Sequence, residues 1–175
     1  MSSLMRSCLT AIAALGTLAT TGCGGAEAPQ IAIHGAADMG GAPTCGGVEA
    51  CIADCDRGRG ESCYGAGAIY ETGSGALQSY GDAARFYDRA CAAGEPRGCN
   101  NLGVMREIGL AGAQDYSEAA GLYRKACDGG DAQGCANLAL RYEEGLGVPH
   151  DTSRSKELLQ QACSRGNEYA CRRLE

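Results

Sequence analysis

The sequence predicts an all-α protein in which αα-hairpins repeat every 36 residues and stack into a solenoid. Two observations lead to this fold class. Eight of the 12 cysteines form four Cys-x7-Cys pairs, and corresponding cysteines of successive pairs lie 36 residues apart. The chain also has 28 Gly, one Phe and no Trp, which suits thin layers of closely packed helices better than one large core. The pairs are Cys55/Cys63, Cys91/Cys99, Cys127/Cys135 and Cys163/Cys171.

The charge balance argues against a nucleic-acid partner. The net charge is −6, and no basic stripe runs along the sequence, whereas nucleic-acid binders usually carry one. The number of cysteines indicates an oxidising compartment, because structural disulfides would be reduced in the cytosol. We therefore expect an exported protein that binds no nucleic acid.

Residues 1–22 have the pattern of an export signal, with a positive charge at Arg6, an apolar stretch over residues 8–19 and small residues before Cys23. The apolar stretch is too short for a good membrane span. Thr20-Thr21-Gly22-Cys23 resembles the lipobox of bacterial lipoproteins, although Thr20 stands where that family usually has Leu. The resemblance implies cleavage before Cys23, lipid attachment to its sulfur, and a membrane-anchored lipoprotein of the bacterial envelope, periplasmic or at the cell surface. The alternative is an ordinary secretory signal and a secreted protein, with Cys23 an odd thiol or a disulfide partner.

Residues 23–44 predict a flexible linker. The segment is rich in Gly, Ala and Pro, has no helical or strand periodicity, and offers too little apolar surface to order itself. Its one histidine, His34, is expected to be solvated rather than a metal ligand.

The remainder of the chain follows the repeat register. In each repeat the first helix should run for about ten residues and end at a glycine, the residue that tolerates a left-handed helix stop. The second helix should begin at a Ser or Asp that caps its first turn, and Asp115-x-x-Glu118 has the form of a capping box. The glycines are Gly73, Gly109 and Gly145, and the caps are Ser79, Asp115 and Asp151. The predicted units are a half-repeat cap (45–62), repeat 1 (63–98), repeat 2 (99–134), repeat 3 (135–170) and a truncated unit (171–175).

The strongest stretch is Asn137-Leu-Ala-Leu-Arg-Tyr142-Glu-Glu-Gly145-Leu-Gly147-Val-Pro-His-Asp151. Its Leu, Tyr, Gly-x-Gly-Val and Asp resemble the Sel1-like repeat, a relative of the tetratricopeptide repeat. The setting of Lys125-Ala-Cys127 and Gly134-Cys135 is similar to that in the Helicobacter-type cysteine-rich repeat proteins. The resemblance covers residues 45–175. Two departures are Ala66 or Gly65 in place of the Leu, and Arg106 in place of the Tyr.

The resemblance to the cysteine-rich proteins implies one disulfide per repeat, formed within each Cys-x7-Cys. The 36-residue periodicity favours the same pairing, Cys55–Cys63, Cys91–Cys99, Cys127–Cys135 and Cys163–Cys171, and each bond should staple two successive helices with roughly 2.5 kcal/mol. Cys45–Cys51 is a possible fifth bond that would pin the cap. Zinc sites favour Cys-x2-4-Cys spacings, and only Cys51-x3-Cys55 has one. We therefore expect neither a metal nor a cofactor.

A solenoid of this kind presents its first helices on a concave face, which commonly docks proteins or peptides. Asn101 and Asn137 occupy equivalent positions, and Met105 and Arg141 lie one helical turn further on. We expect these four residues to contribute to a binding face on a monomer, for an unidentified protein or peptide. The alternative for the asparagines is that they are solvated or cap local backbone.

Two other functions stay open. The cysteine-rich repeat family includes weak β-lactam binders or hydrolases, and Ser153-Arg-Ser-Lys156 matches the Ser-x-x-Lys motif in which lysine activates a serine nucleophile. The companion motifs Ser-Asp-Asn and Lys-Thr-Gly do not occur, so catalysis is not the favoured hypothesis. His150, close by in the sequence, is expected to be solvated. The remaining alternative is a purely structural envelope protein.

Overall fold

The structure, a computed structural model, describes residues 45–175. The export signal, the linker, His34 and Cys23 lie outside these residues. The described part contains eight α-helices and no strand, which confirms the predicted all-α hairpin fold. The helices are α1 (Val48–Asp56), α2 (Gly60–Thr72), α3 (Tyr80–Ala92), α4 (Pro96–Ile108), α5 (Tyr116–Asp128), α6 (Ala132–Glu144), α7 (Thr152–Ser164) and α8 (Glu168–Leu174).

The ends of the helices follow local residue chemistry. Gly73, Gly109 and Gly145 end the first helices with φ of 74°, 78° and 70°, a conformation that glycine adopts without strain. Ser79, Asp115 and Asp151 begin the second helices, and each side chain accepts a hydrogen bond from the backbone N–H three residues on.

The capping box expected at Asp115 is formed only in half. Asp115 accepts from the backbone N–H of Glu118, but the N–H of Asp115 donates to the carbonyl oxygen of Arg106 instead of the Glu118 side chain. The Glu118 carboxylate instead forms an ion pair with the guanidinium of Arg106 at 3.1 Å. The expectation of a reciprocal box is therefore wrong, because a charge pair across the hairpin competes for the glutamate.

The first helices start earlier than the cysteine register suggests. Each is 13 residues long in the three complete hairpins and begins three residues before the cysteine. Side chains at the preceding position cap α4, α6 and α8, and they come from three residue types: Glu95, Asp131 and Asn167. In each first helix the cysteine therefore lies within the first turn, next to the end of the preceding second helix.

Successive helices pack in antiparallel pairs, and a second set of contacts curves the stack. The first helices α2, α4 and α6 contact one another across hairpins, whereas the second helices α3, α5 and α7 make no comparable contact. Because the spacing is shorter on the side of the first helices, residues 45–175 curve with those helices on the inside. We call their solvent-facing side the inner face.

The helix junctions are narrow and covalently joined. Disulfides connect α1 to α2, α3 to α4, α5 to α6 and α7 to α8 across Cα–Cα distances of 4.5 to 4.7 Å. A fifth bond, Cys45–Cys51, links the start of the described chain to α1. One disulfide per repeat is thereby confirmed. Gly98 lets α4 approach α3 beside its disulfide, since a Cβ there would lie 2.5 Å from the Cβ of Ala90.

A glycine and a tyrosine form a matched pair inside each of the first two hairpins. A Cβ on Gly67 would lie 2.6 Å from the ring of Tyr87, and one on Gly103 would lie 2.8 Å from the ring of Tyr123. Both rings are essentially fully buried. The third hairpin has Ala139 at the glycine position and Leu159 at the tyrosine position. A larger residue on one helix is thus compensated by a smaller one on its partner.

We expect Gly103→Ala to lower the free energy of unfolding by about 1 to 3 kcal/mol, because the added methyl group overpacks the Tyr123 ring. In a Tyr123→Leu background the same substitution should cost nothing, since it reproduces the pair found in the third hairpin. Urea unfolding followed by far-UV circular dichroism of the two single variants and the double variant measures this coupling. Additive effects in the double variant would show that the pair is not matched.

Candidate protein-binding face

The inner face consists of half-buried side chains spaced to lie on one side of each first helix. On α4 they occur at intervals of four, three and four residues, and the same positions recur on α6. Half burial fixes their positions while leaving part of each side chain open to a partner. These residues are Arg97, Asn101, Val104 and Ile108 on α4, and Gln133, Asn137 and Leu140 on α6.

Side-chain amides form a continuous ladder along this face. The side-chain amide of Asn100 donates to Oδ1 of Asn101 at 3.3 Å. The side-chain amide of Asn137 donates to Oδ1 of Asn100 at 2.8 Å. Gln133 donates to Asn137 at 3.1 Å, and Asn167 donates to Gln133 at 2.9 Å. The ladder joins α4, α6 and the N-cap of α8, so Asn101 and Asn137 are fixed in place rather than solvated singly.

One end of the face carries a stacked arginine. The guanidinium of Arg97 lies 4.5 Å from the ring centroid of Tyr64 on α2, a cation–π distance. The carboxylate of Glu95 accepts from Arg97 at 2.7 and 3.1 Å. Although burial opposes ionisation of Glu95, these hydrogen bonds and the positive charge of Arg97 hold the pKa of that carboxyl below its usual range. Arg97 is thereby oriented beside Asn101.

Two of the four predicted binding residues are not available to a ligand. Met105 is 1% exposed and packs in the core with Leu102 and Leu122. Arg141 is 7% exposed, and its guanidinium lies 3.2 Å from Glu107 and 2.8 Å from Glu144. The expectation for Met105 and Arg141 is wrong, because one helical turn on from an asparagine of the inner face the helix surface already turns toward the neighbouring hairpin.

Arg141 belongs instead to a buried polar cluster, together with Glu107 and Tyr123. The Tyr123 hydroxyl donates to one oxygen of Glu107 at 2.7 Å, and Arg141 pairs with the other. Tyr87 makes the equivalent hydrogen bond to Glu71 in the first hairpin, at 2.5 Å. Burial, and next the adjacent carboxylate, raise the pKa of both tyrosines far above their usual range.

The two tyrosines predict a loss of stability in alkali. In the unfolded chain they ionise near pH 10, while their raised pKa keeps them protonated in the folded protein, so the unfolded state binds fewer protons. The contribution of these two phenols to the free energy of unfolding is therefore fully present below pH 9, and it should fall by about 1.5 kcal/mol by pH 10.5. Urea unfolding at these two pH values would measure the fall. The variant Tyr87→Phe/Tyr123→Phe should lose most of this dependence, and an unchanged pH profile would contradict the assignment.

A pocket of about 280 Å³ lies in the third hairpin, between α6, α7 and α8. Lys156 lines it, but Ser153 does not and is exposed on the first turn of α7. The serine that lines the pocket is Ser155, which is 4% exposed. Ser153 and Lys156 are therefore not brought together within a common pocket. The other lining residues are Glu143, Thr152, Leu159, Arg173 and Leu174.

Metal and membrane sites are not apparent in residues 45–175. Over that range no three His, Cys, Asp or Glu side chains lie close enough together to hold a metal ion. The helices of the same part of the chain are too short or too polar to cross a bilayer.

The sequence indicated only part of the inner face. The separation of 36 residues predicts Asn101 and Asn137, but it does not predict Asn100, Gln133 or Asn167. These three come from different positions in the repeat, so periodicity does not align them. The adjacent pair Asn100-Asn101 was the one signal in the sequence that pointed to an amide cluster.

Comparison with known proteins gives the family. The family model described as the Sel1 repeat matches residues 60–95, 96–131 and 132–167, each of which holds one first helix and one second helix. No curated protein matches the sequence.

Solved structures with the same fold include three with clear superpositions. The protective antigen c5321 of uropathogenic Escherichia coli, described as displaying an SLR fold, is 32% identical with a TM-score of 0.69. That match covers 73% of this chain and 27% of the antigen, so this chain spans about a quarter of it. A Sel1 repeat protein from Oxalobacter formigenes is 23% identical with a TM-score of 0.67, over 73% of this chain and 51% of that one.

Helicobacter pylori cysteine rich protein B is 25% identical with a TM-score of 0.58, and the match covers 71% of this chain and 89% of that protein. The three repeat matches together span more than half of the sequence. The chain belongs to the Sel1 repeat family.

Proposed function

We propose that this protein is an exported scaffold, held in the bacterial envelope by lipid on Cys23, that binds an extended segment of a protein partner on its inner face. Sel1 repeat proteins generally bind protein partners. The amide ladder carries the proposal, because it places ordered amide groups across consecutive first helices on a half-exposed face.

The chemistry of the ladder suits a peptide backbone. Each amide nitrogen has two N–H groups, and the ladder uses one of them at the half-buried residues Asn137, Gln133 and Asn167. Asn100 is buried, so its amide serves the ladder alone. An extended peptide offers a carbonyl oxygen at every residue, and it could accept from these donors while Val104 and Leu140 contact its side chains.

The first test removes the two half-buried asparagines that occupy equivalent positions on α4 and α6. We expect Asn101→Ala/Asn137→Ala to reduce capture of the native partner from the envelope by at least tenfold, since two polar contacts and the ladder are lost. Affinity capture with the full chain, followed by quantitative mass spectrometry, measures this. Gln160→Ala is the matched control, because it removes an exposed amide from α7 on the opposite side. Equal capture by all three proteins would exclude the inner face as the binding surface.

Export and anchoring rest on other observations. The five disulfides and the similarity to Helicobacter pylori cysteine rich protein B support export, because such bonds persist outside the cytosol. Lipid attachment rests on the Thr-Thr-Gly-Cys sequence that ends at Cys23. Inhibition of lipoprotein signal peptidase should make a larger precursor accumulate, whereas Cys23→Ser should release the protein from the membrane fraction. Normal processing under the inhibitor would favour ordinary secretion.

A further inference from the structure

The geometry points to a second recognition site, in which the pocket of the third hairpin receives the side chain of a tyrosine from a protein partner. The pocket contains none of the inner-face residues of α4 and α6 and is lined in part by the second helix α7, although Arg173 on α8 follows Asn137 by 36 residues. Binding to the pocket can be tested separately from binding to the inner face.

The first two hairpins show what the glutamate at this position of the repeat binds within the chain. Tyr87 and Tyr123 project from the second helix, and their hydroxyl groups donate to Glu71 and Glu107 on the first helix. The corresponding residues of the third hairpin, 36 residues after Tyr123 and Glu107, are Leu159 and Glu143. Leucine is shorter and has no hydroxyl, so Glu143 has no intrachain phenol, and both residues line the pocket.

The glutamate retains the capacity to accept a phenol. Glu143 pairs with Arg173 at 2.5 and 2.6 Å, and its side chain is 39% exposed. A carboxylate has about four lone-pair sites, and the arginine does not use all of them. Glu107 already shows the combination, because it accepts from the hydroxyl of Tyr123 and pairs with Arg141 at the same time.

The size and walls of the pocket also suit one aromatic side chain. Its volume of about 280 Å³ lies just below the usual range for small-molecule sites, roughly 300 to 1,000 Å³. Leu159 and Leu174 supply apolar surface, while Lys156 and Arg173 supply cations that can lie against a ring. Tyrosine is enriched among the residues that anchor protein interfaces.

The test uses N-acetyl-tyrosinamide as the probe, with N-acetyl-phenylalaninamide as the ligand that lacks only the hydroxyl. In an NMR titration of the isotope-labelled full chain, the tyrosine probe should shift the amide signals of Glu143, Ser155 and Arg173. It should bind about tenfold more tightly than the phenylalanine probe, the factor expected for a hydrogen bond to a charged acceptor. Equal affinities for the two probes would overturn the assignment of a phenol site.

Two variants locate the site. Glu143→Gln, on a partly exposed residue, should remove most of the preference for tyrosine and leave the fold unchanged. Ala139→Gly/Leu159→Tyr recreates the pair of the first two hairpins and should abolish binding by filling the pocket. Binding that persists in the filled variant would contradict the proposal, and if that variant does not fold, Glu143→Gln decides the question. Asn137→Ala should leave probe binding intact even if it abolishes capture on the inner face, so the two proposals can fail separately.

Discussion

Glu107→Ala is expected to lower the free energy of unfolding by about 3 kcal/mol, the low end of the usual cost of removing one partner of a buried ion pair, because Arg141 keeps the half-exposed Glu144. The side chains of Glu107 and Arg141 are 5% and 8% exposed, and their ion pair joins the second hairpin to the third. The substitution leaves only Glu144, whose side chain is 44% exposed, to pair with the buried guanidinium, and Tyr123 loses its acceptor as well. Urea unfolding followed by far-UV circular dichroism is the appropriate measurement, since the chain has no Trp for fluorescence.

The first hairpin supplies a matched control for this prediction. Glu71 accepts from Tyr87, but the position equivalent to Arg141 is Met105, so no buried cation depends on it. Glu71→Ala should therefore cost only about 1 to 2 kcal/mol. Replacing both charges in Glu107→Leu/Arg141→Leu should restore most of the stability lost in Glu107→Ala. If Glu107→Ala cost no more than Glu71→Ala, the buried ion pair would not be the cause.

Gly147→Ala is the second substitution with a large expected effect, about 3 to 5 kcal/mol of lost stability. Gly147 lies in the loop between α6 and α7 with φ of 75°, in the left-handed region that a side chain disfavours. A Cβ there would also overlap the backbone carbonyl group of Tyr116 at the start of α5. The carbonyl belongs to a helix and cannot rotate away, so the loop or the neighbouring hairpin must shift.

Gly166→Ala separates the two causes. Gly166 has φ of 88°, but a Cβ there would meet no atom within 4 Å. This substitution should therefore cost only the conformational strain, roughly 1 to 2 kcal/mol. The same urea unfolding experiment on both variants gives the contribution of the backbone overlap as the difference. Equal losses in the two variants would show that the contact with Tyr116 is unimportant.

The repeat fold could be predicted because its signals are local. Gly145 stops a helix and Asp151 caps the next one through interactions within a few residues, and both types recur every 36 residues. The starts of the first helices are harder to predict, because their caps Glu95, Asp131 and Asn167 lie four residues before the cysteines and differ in residue type, although they too recur every 36 residues. A period is easiest to see where the same residue type repeats.

The candidate site was harder to predict because exposure depends on neighbouring hairpins. Asn101 and Met105 lie one turn apart on α4, yet the first is half-buried on the inner face and the second is in the core. The sequence pattern does not show how far α4 is rotated toward α3 and α5. The pocket depends on comparing two positions at once, Ala139 with Leu159, because neither substitution is unusual alone.

The equal spacing of the disulfide junctions allows a whole hairpin to be deleted from the chain in register. Each disulfide joins the second helix of one hairpin to the first helix of the next, always eight residues later. Loss of residues 96–131 in frame would bring Cys91 and Cys135 to that same separation, and Arg141 would then face Glu71 in place of Glu107. The array can therefore lose this hairpin without changing how its cysteines pair and without leaving its buried arginine unpaired, so the chemistry of each remaining junction is kept.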